Sequence, residues 1–594
     1  MATIPILATT FELDQKEHSQ VLLELESLCR LYSLSPEDLK FKWEAFSFNK
    51  KNAQVPTVDL VRQLKSTIQH KFEQTLQQQP SQSQRSRPSM KQQQPALNFS
   101  EYMDVDAAQD PVDDFLSKLT SGGGTDIYPK KNVPGTRGDN KNLATIPSTL
   151  DIEQSQPTTR FLDRSQMNTI ESQYNPQLSV RDKNVSVAKA TIQSVQPPIQ
   201  KYRYMFEKIR NRAEVLDDRI DYIAGVINEA FGLEDGFGNP SRMTQGTITA
   251  VGRICCDAAE GKLNDKSILL ETSRSLGMGK RVKLDISKVN EYSLFPGQII
   301  AVEGKNTTGK SFSVDKILMP PLPDSIEKQT STNEITQVIV AAGPYTLDSD
   351  FSFMPLDDLL SVCQEEQADV VILMGPFIST AHPLIAKGQV DQLPEDIFRT
   401  QIATKLNHFA QSNPGTQILI MPHAHDIFQE WPLFPQPGLS LSSLHVTASS
   451  IQSISNPSIF EINGSIFAIG NVDILRSIGI QEINKNVPIE RLLNLSRHVL
   501  QQQNFYPLFP ASPGDSIDAD QMAHLQLSTK PDFLILPSHL RQFAKLLDDD
   551  DVLCINPGHL CKGRSSGTFA KLIIHPSMDE SKTSDRTRID LVRL

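Results

Sequence analysis

Four short apolar runs in the last third of the chain constrain its fold more than any other feature. Each run is rich in Val, Ile and Leu, lacks polar alternation, and ends at a Gly, a Pro or a polar turn. The runs are 338–341, 370–373, 418–420 and 533–536. Runs of this kind are typical of strands that are buried on both faces. The intervening segments are long enough for crossover helices, so we expect a parallel-rich α/β sheet.

The residues that follow the first three runs decide what chemistry such a sheet can carry, because functional groups gather at the carboxyl ends of parallel strands. These residues are Ala342-Gly343-Pro344-Tyr345, Met374-Gly375-Pro376-Phe377 and Met421-Pro422-His423-Ala424-His425-Asp426. Imidazole and carboxylate groups occur only in the third set. The candidate site is therefore poor in catalytic side chains.

This succession resembles the calcineurin-like metallophosphoesterases, which carry D-x-H, G-D-x-x-D and G-N-H-[DE] after their first three strands and hold two metal ions there. Here the first motif reads Gly343-Pro344 and lacks its carboxylate. After Gly375, Pro376 stands where the second motif has its bridging Asp, and Ala424 replaces the Asn of the third motif. Of the third motif only His425 and Asp426 remain.

Two hard cations need oxygen ligands from several strands, and the degenerate motifs do not supply them. The resemblance therefore implies a phosphoesterase-type α/β sandwich without catalytic residues, metals or cofactors. An alternative is a residual phosphodiesterase that uses His425 and Asp426 with unrecognised further ligands. His423 and His425 lack a third zinc ligand nearby, and Cys554, His559 and Cys561 lack a fourth. We interpret the two cysteines as buried thiols.

Composition narrows the class of protein. The net charge of −12 argues against nucleic-acid binding through bulk charge. Six scattered cysteines suit a reducing compartment. The chain has no basic, apolar leader at its start and no apolar run of about 18 residues. We therefore expect an intracellular protein without a membrane span.

The residue pattern in the first third of the chain predicts a small folded module followed by a tether. Residues 1–78 show helical spacing of apolar residues and a helix start at Ser35-Pro36, which predicts a small helical domain. Its apolar stripe is either the core of a helical bundle or a partner-binding face, and its place at the end of a long tether suits a partner-binding domain. Residues 79–200 are rich in Gln, Pro, Ser and Asn, and we expect a disordered linker. Within it, 112–119 (VDDFLSKL) would place its apolar residues on one helical face. This segment is either a partner-binding island or a chance cluster.

Residues 201–330 predict a helix followed by a small barrel. Apolar residues recur at helical spacing over 202–231. Five strand-like runs follow, at 247–254, 267–271, 282–285, 298–303 and 312–317. Five short strands in about 80 residues favour a barrel such as an OB-fold. Residues 331–594 would then form the phosphoesterase-like domain.

Two features of the barrel bear on nucleotide and nucleic-acid binding. The stretch 304–311 matches the P-loop pattern G-x-x-x-x-G-K-[ST], but a strand-like run follows it where a P-loop needs a helix. We therefore expect a hairpin turn there. The barrel region has only three aromatic residues, Tyr292, Phe295 and Phe312. Because stacking on aromatic rings usually carries single-strand binding, a protein-contact barrel is favoured, with weak nucleic-acid binding as the alternative.

A helix, an OB barrel and a metal-less phosphoesterase domain, in this order, resemble the B subunits of replicative DNA polymerases, and most closely those of DNA polymerase alpha–primase. The residues that carry this resemblance over 201–594 are 202–206 (YRYMF), 291–298 (EYSLFPGQ), 374–377 (MGPF), 505–510 (FYPLFP) and 556–559 (NPGH). An N-terminal helical module on a tether agrees with the alpha type. The epsilon type also has such a module and is the nearest rival.

The resemblance implies a non-catalytic scaffold subunit in the nucleus that supports RNA–DNA primer synthesis. Its implied partners are the zinc-binding C-terminal region of the catalytic subunit, the primase subunits, and other replication proteins bound by the N-terminal module. Contact with DNA would be indirect or weak, and no membrane is involved. Fold alone would not give these functions.

Overall fold

The computed structural model describes residues 189–594 apart from 235, 259–260, 327–333, 548–550 and 577–581, together with 167–181 and isolated earlier positions. The chain forms two compact units, Met1–Leu97 and Asn98–Leu594. No helix among the described residues is long and apolar enough to cross a membrane.

Most described positions of the first unit are helical. Phe11, Val21, Leu22, Leu25 and Trp43 lie in helical turns and are buried. These positions agree with the predicted helical module. Most other positions of 1–78, among them the predicted helix cap at residue 35, lie outside the described residues, as does 79–160 with the island at 112–119.

The described part of the second unit is built mainly from strands. In chain order they are β1 Ile170–Tyr174, β2 Ile192–Ser194, β3 Ile248–Cys256, β4 Ile268–Glu271, β5 Arg281–Asp285, β6 Tyr292–Leu294, β7 Ile299–Lys305, β8 Ser311–Leu318, β9 Thr336–Ala342, β10 Val370–Met374, β11 Gln417–Met421, β12 Ile451–Ser453, β13 Ser458–Ile462, β14 Ser465–Ile469, β15 Ile483–Lys485, β16 Phe533–Ile535, β17 Phe543–Leu547, β18 Val552–Asn556, β19 Cys561–Lys562, β20 Ser565–Ser566, β21 Thr568–Ile574 and β22 Thr587–Arg593.

Helices also occur in the described part of the second unit. They are α1 Ile209–Phe231, α2 Arg274–Gly277, α3 Met354–Glu365, α4 Pro383–Ala386, α5 Pro394–Ile397, α6 Thr404–Ser412, α7 Ile474–Gln481 and α8 Arg491–Gln501, with a π-helical segment at Phe398–Ala403 and a 3-10 helix at Ala519–Leu525.

Two mixed sheets pack face to face. The strand order is β1-β22-β21-β9-β10-β11-β12 in the first sheet and β17-β18-β16-β14-β13-β2 in the second. β9 to β12 are parallel, as the apolar runs predicted, whereas β21, β22 and β1 complete that sheet in antiparallel pairing. The fourth run forms β16 in the second sheet, so the expectation of one sheet containing all four runs is wrong.

The sandwich core explains why these runs lack alternation. Val340 and Ile372 of the first sheet share one core with Phe467 and Ile535 of the second. The opposite face of the first sheet packs on α3 and α6, and that of the second packs on α7 and α8. Because both faces of each central strand are covered, no position in it needs a polar side chain.

Residues 170–174 and 192–194, which we expected to lie in a disordered linker, form edge strands of the two sheets. Tyr174 pairs with Ile589, and Ile192 pairs with Ile462. The Arg181 guanidinium, between these two strands in the sequence, forms a 2.6 Å ion pair with Asp369 at the start of β10. The folded body therefore begins before residue 201.

The predicted barrel is present. β3, β4, β5, β8 and β7 close into a five-stranded barrel. β7 and β8 pair antiparallel, so the P-loop-like stretch 304–311 is the hairpin turn between them, as predicted. A separate pairing of β6 with β15 links the barrel segment to the sandwich.

The predicted helix 202–231 begins later than expected, at Ile209, and covers one face of the barrel through Ile220, Ile223 and Ile227. Residues 202–208 are not helical, because Tyr202 is held by the sandwich. Its hydroxyl donates to the Pro435 carbonyl at 2.6 Å, and its own carbonyl accepts from Trp431 Nε1 at 2.9 Å. Ile209, the first residue of the helix, is 90% exposed.

Candidate functional site

Three loops meet at the carboxyl edge of the central parallel strands. Met374, the last residue of β10, pairs with Ala342 of β9 on one side and with Met421 of β11 on the other. The loops that begin at Gly343, Gly375 and Pro422 are therefore neighbours. This is the edge at which the sequence placed its degenerate phosphoesterase motifs.

The two glycines let the loops approach one another closely. Gly343 N donates to the Met374 carbonyl at 2.8 Å, and Gly375 N donates to the Met421 carbonyl at 2.9 Å. A Cβ on Gly343 would overlap the carbonyl oxygen of Pro376. A Cβ on Gly375 would lie 2.5 Å from Asp426 Oδ2. The peptide bonds before Pro344 and Pro376 are cis.

Buried aromatic rings fill the space behind these loops. Tyr345 is fully buried, and its hydroxyl lies 2.9 Å from the Met374 carbonyl and 3.0 Å from that of Ala341. Its ring stacks on Phe377 with centroids 5.1 Å apart. Burial raises the pKa of the Tyr345 hydroxyl well above its ordinary value. The first loop thus supplies packing and no metal-binding carboxylate.

Asp426 ties the second and third loops together. It is 3% exposed. Its Oδ1 accepts from the backbone N–H groups of Phe377 and Ile378, the latter at 3.0 Å, and its Oδ2 accepts from His423 N at 3.2 Å. Burial raises the pKa of this carboxyl to about 7, and the three backbone donors oppose that shift. The carboxylate thus acts as a structural acceptor.

His423, Ala424 and His425, which lie in the same loop as Asp426, differ in burial and in their contacts. His423 Nδ1 accepts from His425 N at 3.0 Å, and the two imidazole rings meet edge to face with centroids 5.0 Å apart. Burial and the neighbouring imidazoles lower the pKa of His423 well below its ordinary value. Ala424 is half-buried and His425 is exposed.

Sequence reasoning missed two buried asparagines that cross-link the same edge. Asn471 Nδ2 donates to the carbonyls of Gly375 and Pro422, both at 3.0 Å. Asn456 Nδ2 donates to the Pro422 and Asn471 carbonyls. Asn471 follows β14 after one glycine, so a search of every strand end, not only the first three, would have found it.

Sequence reasoning assigned His559 no role at this edge, yet it belongs there. Its Nδ1 lies 2.6 Å from the Gly343 carbonyl, which fixes the proton on Nδ1. Its ring lies 4.3 Å from that of His539, centroid to centroid. Burial and the His539 imidazole lower the pKa of His559 to about 3, so the ring is neutral and serves as a hydrogen-bond donor.

These contacts do not suit the two metal ions that a phosphoesterase fold implies. The Asp426 oxygens are directed at backbone N–H groups, and the Asn471 amide is directed at two carbonyls. In the described parts of the chain, no group of three or more His, Cys, Asp or Glu side chains is arranged to hold a metal ion. Cys554 and Cys561 are buried thiols, as expected, and burial raises the pKa of Cys561.

None of the three aromatic residues that the sequence identified in the barrel region has an exposed ring on which a base could stack. Tyr292, Phe295 and Phe312 are all buried in the hydrophobic interior. The interpretation as a protein-contact barrel is consistent with this placement, because base stacking needs accessible ring faces.

Family models match three parts of the chain. A model for the N-terminal region of the DNA polymerase alpha B subunit matches residues 8–71. A model for the OB domain of the same polymerase component matches 213–320, and a model that covers the alpha and epsilon B subunits together matches 338–545.

Curated relatives agree with these models. The chain is 31% identical to the DNA polymerase alpha B subunit of Schizosaccharomyces pombe, over 95% of both chains. It is 28% identical to the Saccharomyces cerevisiae protein of the same name, over 95% of this chain and 94% of the relative. The Mus musculus protein is 33% identical over 66% of this chain and 64% of its own length. The chain belongs to the family of DNA polymerase alpha B subunits.

Proposed function

We propose that this chain is the non-catalytic accessory subunit of a DNA polymerase alpha–primase complex, and that it acts as a scaffold during the initiation of DNA replication. The observation that carries the proposal is the similarity to the Schizosaccharomyces pombe protein along 95% of both chains. The match of residues 8–71 to an alpha-type N-terminal model favours this assignment over an epsilon-type one.

The sandwich is, in this proposal, a calcineurin-like phosphoesterase fold that has lost its metals. The use of Asp426 as an acceptor for backbone N–H groups supports this interpretation, because a ligand to a cation would have to give up those bonds. The buried pair of Tyr345 and Phe377 also supports it, since it fills space behind the first two motifs. The degenerate positions Gly343, Pro344, Gly375, Pro376 and Ala424 then serve loop packing.

The proposed partners are the zinc-binding C-terminal region of the catalytic subunit, the primase subunits, and other replication proteins that bind the N-terminal unit. The proposed location is the nucleus, and direct DNA contact is weak. A scaffold subunit needs its domains held together, and here the barrel and the sandwich are joined by direct contacts. The β6–β15 pairing holds these two parts together, and so does the buried hydrogen bond from Ser293 of β6 to Glu482.

Affinity purification of the tagged full chain from its own cells tests the assignment. We expect a polymerase catalytic subunit and both primase subunits to co-purify in stoichiometric amounts. Recovery of a polymerase without primase would move the chain to the epsilon branch. Recovery of the chain alone would contradict the scaffold role.

A second measurement tests the absence of catalysis independently. The purified chain, incubated with Mn²⁺ and bis-p-nitrophenyl phosphate, should release no more nitrophenol than its His425→Ala variant does. If the unmodified chain hydrolysed the substrate at a measurable rate and the His425→Ala variant did not, the enzymatic alternative would be supported instead. Element analysis of the same sample should find metal well below one ion per chain.

A further inference from the structure

A patch of exposed apolar side chains lies just before α1 and at its first residue. Met205 is 85% exposed, Phe206 is 58% exposed and Ile209 is 90% exposed. The three residues fall within five consecutive positions, so they belong to one region of the surface. A single exposed apolar residue is ordinary, whereas large apolar side chains that are exposed together mark interaction sites.

The segment that carries this patch is held to the sandwich on both sides. Before the patch, the Tyr202 hydroxyl donates to the Pro435 carbonyl at 2.6 Å. Within it, Glu207 Oε2 accepts from Ala519 N at 2.8 Å. Because the backbone is anchored at these two points, the exposure of the apolar side chains between and beside them belongs to a defined conformation.

Two further features show that the patch is arranged in advance. Met205 has a φ of 62°, in the left-handed region that residues other than glycine adopt only at an energetic cost. The Arg203 Cζ lies 3.7 Å from the centroid of the Phe206 ring, so the guanidinium covers one face of that ring. A surface whose side chains are already positioned loses less entropy when a partner binds.

The charge around the patch is positive. Residues 201–212 contain five basic residues and one acidic residue. Lys201, Arg210 and Arg212 have carboxylate partners, whereas Arg203 and Lys208 form no ion pair within the part of the chain that the structure describes. The first turn of α1 contains no acidic residue. Carboxylates of a partner would therefore be favoured beside the apolar side chains.

We propose that this patch, formed by Met205, Phe206 and Ile209 with Arg203 and Lys208, is a docking surface for an acidic segment of another protein. The large apolar side chains of that segment would pack on the three apolar residues, and its carboxylates would pair with the two cations. The inference deepens the proposed scaffold role and rests on it for the expectation of a protein partner.

The same observations disfavour other occupants. A second copy of this chain on the same patch would place two basic segments against each other, and like charges across an interface are repulsive. Nucleic acid would gain little stacking, because Met205 and Ile209 have no ring and Arg203 already covers one face of Phe206.

A photo-crosslinking probe in the patch tests the proposal in the intact protein. p-Benzoylphenylalanine replaces Ile209 in the tagged full chain, expressed in its own cells, and the crosslinked peptides are sequenced by mass spectrometry. We expect one segment of another protein that has at least two acidic and two large apolar residues within about ten positions. Met243, 68% exposed beyond the other end of α1, carries the probe in the matched control and should not crosslink to that segment.

Variants of the probe-bearing chain establish which contacts hold the segment. Lys208→Glu should lower the crosslink yield at least about fivefold, because the new carboxylate would repel those of the partner. Phe206→Ala should lower the yield by a similar factor, because a central apolar contact is lost. Both side chains are exposed, so neither change should alter the melting temperature. Lys310→Glu, in the hairpin between β7 and β8, is the control and should leave the yield unchanged.

The docking surface would be overturned by the absence of a crosslink from position 209. A crosslink to a second copy, a nucleic acid, a lipid or a segment without acidic residues would also overturn it. Equal loss of yield in Lys208→Glu and Lys310→Glu would do the same, because the attraction would then arise from bulk charge.

Co-purification of polymerase and primase subunits, scored in the same preparations, tests the scaffold role separately. If these subunits co-purify but position 209 gives no crosslink, the docking surface is wrong and the scaffold role stands. If position 209 crosslinks to an acidic segment of an unrelated protein and these subunits are absent, the docking surface stands and the scaffold role is wrong.

Discussion

The carboxylate of Asp426 accepts the backbone N–H of Ile378 at 3.0 Å, and this bond joins the loop after β11 to the loop after β10. The same oxygen accepts from Phe377 N, and the other oxygen accepts from His423 N. Asp426 therefore anchors these two loops to each other. The consequence is that its loss should affect stability.

Replacing Asp426 with Ala should lower the free energy of unfolding by about 3 kcal/mol, because buried backbone N–H groups would lose their acceptor. Asp426→Asn should cost less, since its side-chain oxygen can still accept from Phe377 and Ile378. Urea unfolding followed by fluorescence measures both. The exposed Asp391→Ala is the matched control and should change stability by less than about 0.5 kcal/mol. An Asp426→Ala variant as stable as that control would contradict the anchoring role.

The parts of the fold that were predictable are those whose burial leaves a pattern in the sequence. β9, β10 and β11 are covered on both faces, so their runs are uniformly apolar. The barrel strands were placed within one or two residues for the same kind of reason, because alternation marks β5 and β8. The P-loop-like turn was recognised because an alternating strand follows it.

The parts that were missed lack such a pattern. β1 is almost fully exposed at the edge of its sheet, and its sequence IESQY shows no apolar face. The start of α1 depends on Trp431 and Pro435, which lie more than 200 residues away and hold Tyr202 out of the helix. The roles of Asn471 and His559 arise from loops that only the fold brings together.

Acid should destabilise the protein partly through His559. Its pKa in the fold is about 3, below the ordinary value near 6.5, so the unfolded chain binds the proton more tightly. The free energy of unfolding should therefore fall as the pH decreases from about 6.5 towards 3, by roughly 2 to 4 kcal/mol from this group. Unfolding of His559→Asn, whose amide can still donate to Gly343, should show a weaker dependence over that window. Exposed His408→Gln is the control and should keep the wild-type slope. Identical slopes in all three proteins would exclude His559 as the source.

Glu482 should be essential for the junction of barrel and sandwich. Its Oε1 accepts from Ser293 of β6 and from Asn494 Nδ2 at 3.0 Å, and it lies 3.2 Å from His498 Nε2. Burial opposes the charge on Glu482, yet the His498 and Ser293 hydrogen bonds and the Arg491 charge hold its pKa below the ordinary value. Glu482→Ala should cost about 3 kcal/mol, because it leaves buried polar groups unpaired.

Hydrogen exchange measures which strands are destabilised by the Glu482→Ala substitution. The Glu482→Ala variant should show faster exchange in β6 and β15. The control Glu365→Ala, on an exposed helix surface, should leave both the stability and the exchange unchanged. Slow exchange in β6 despite the Glu482 change would contradict a role for Glu482 in holding the junction.

The hydroxyl of Tyr202 provides a direct check on the late start of α1. It donates to the Pro435 carbonyl at 2.6 Å, and the bond exists only if residues 202–208 stay outside the helix. Tyr202→Phe should therefore lower the free energy of unfolding by about 1 kcal/mol, the usual value for one lost hydrogen bond. Tyr204→Phe is the matched control, two residues away in the same segment, and should be neutral within about 0.5 kcal/mol. Chemical denaturation of the full chain measures both variants, and a helix that began at Tyr202 would make the two substitutions equivalent.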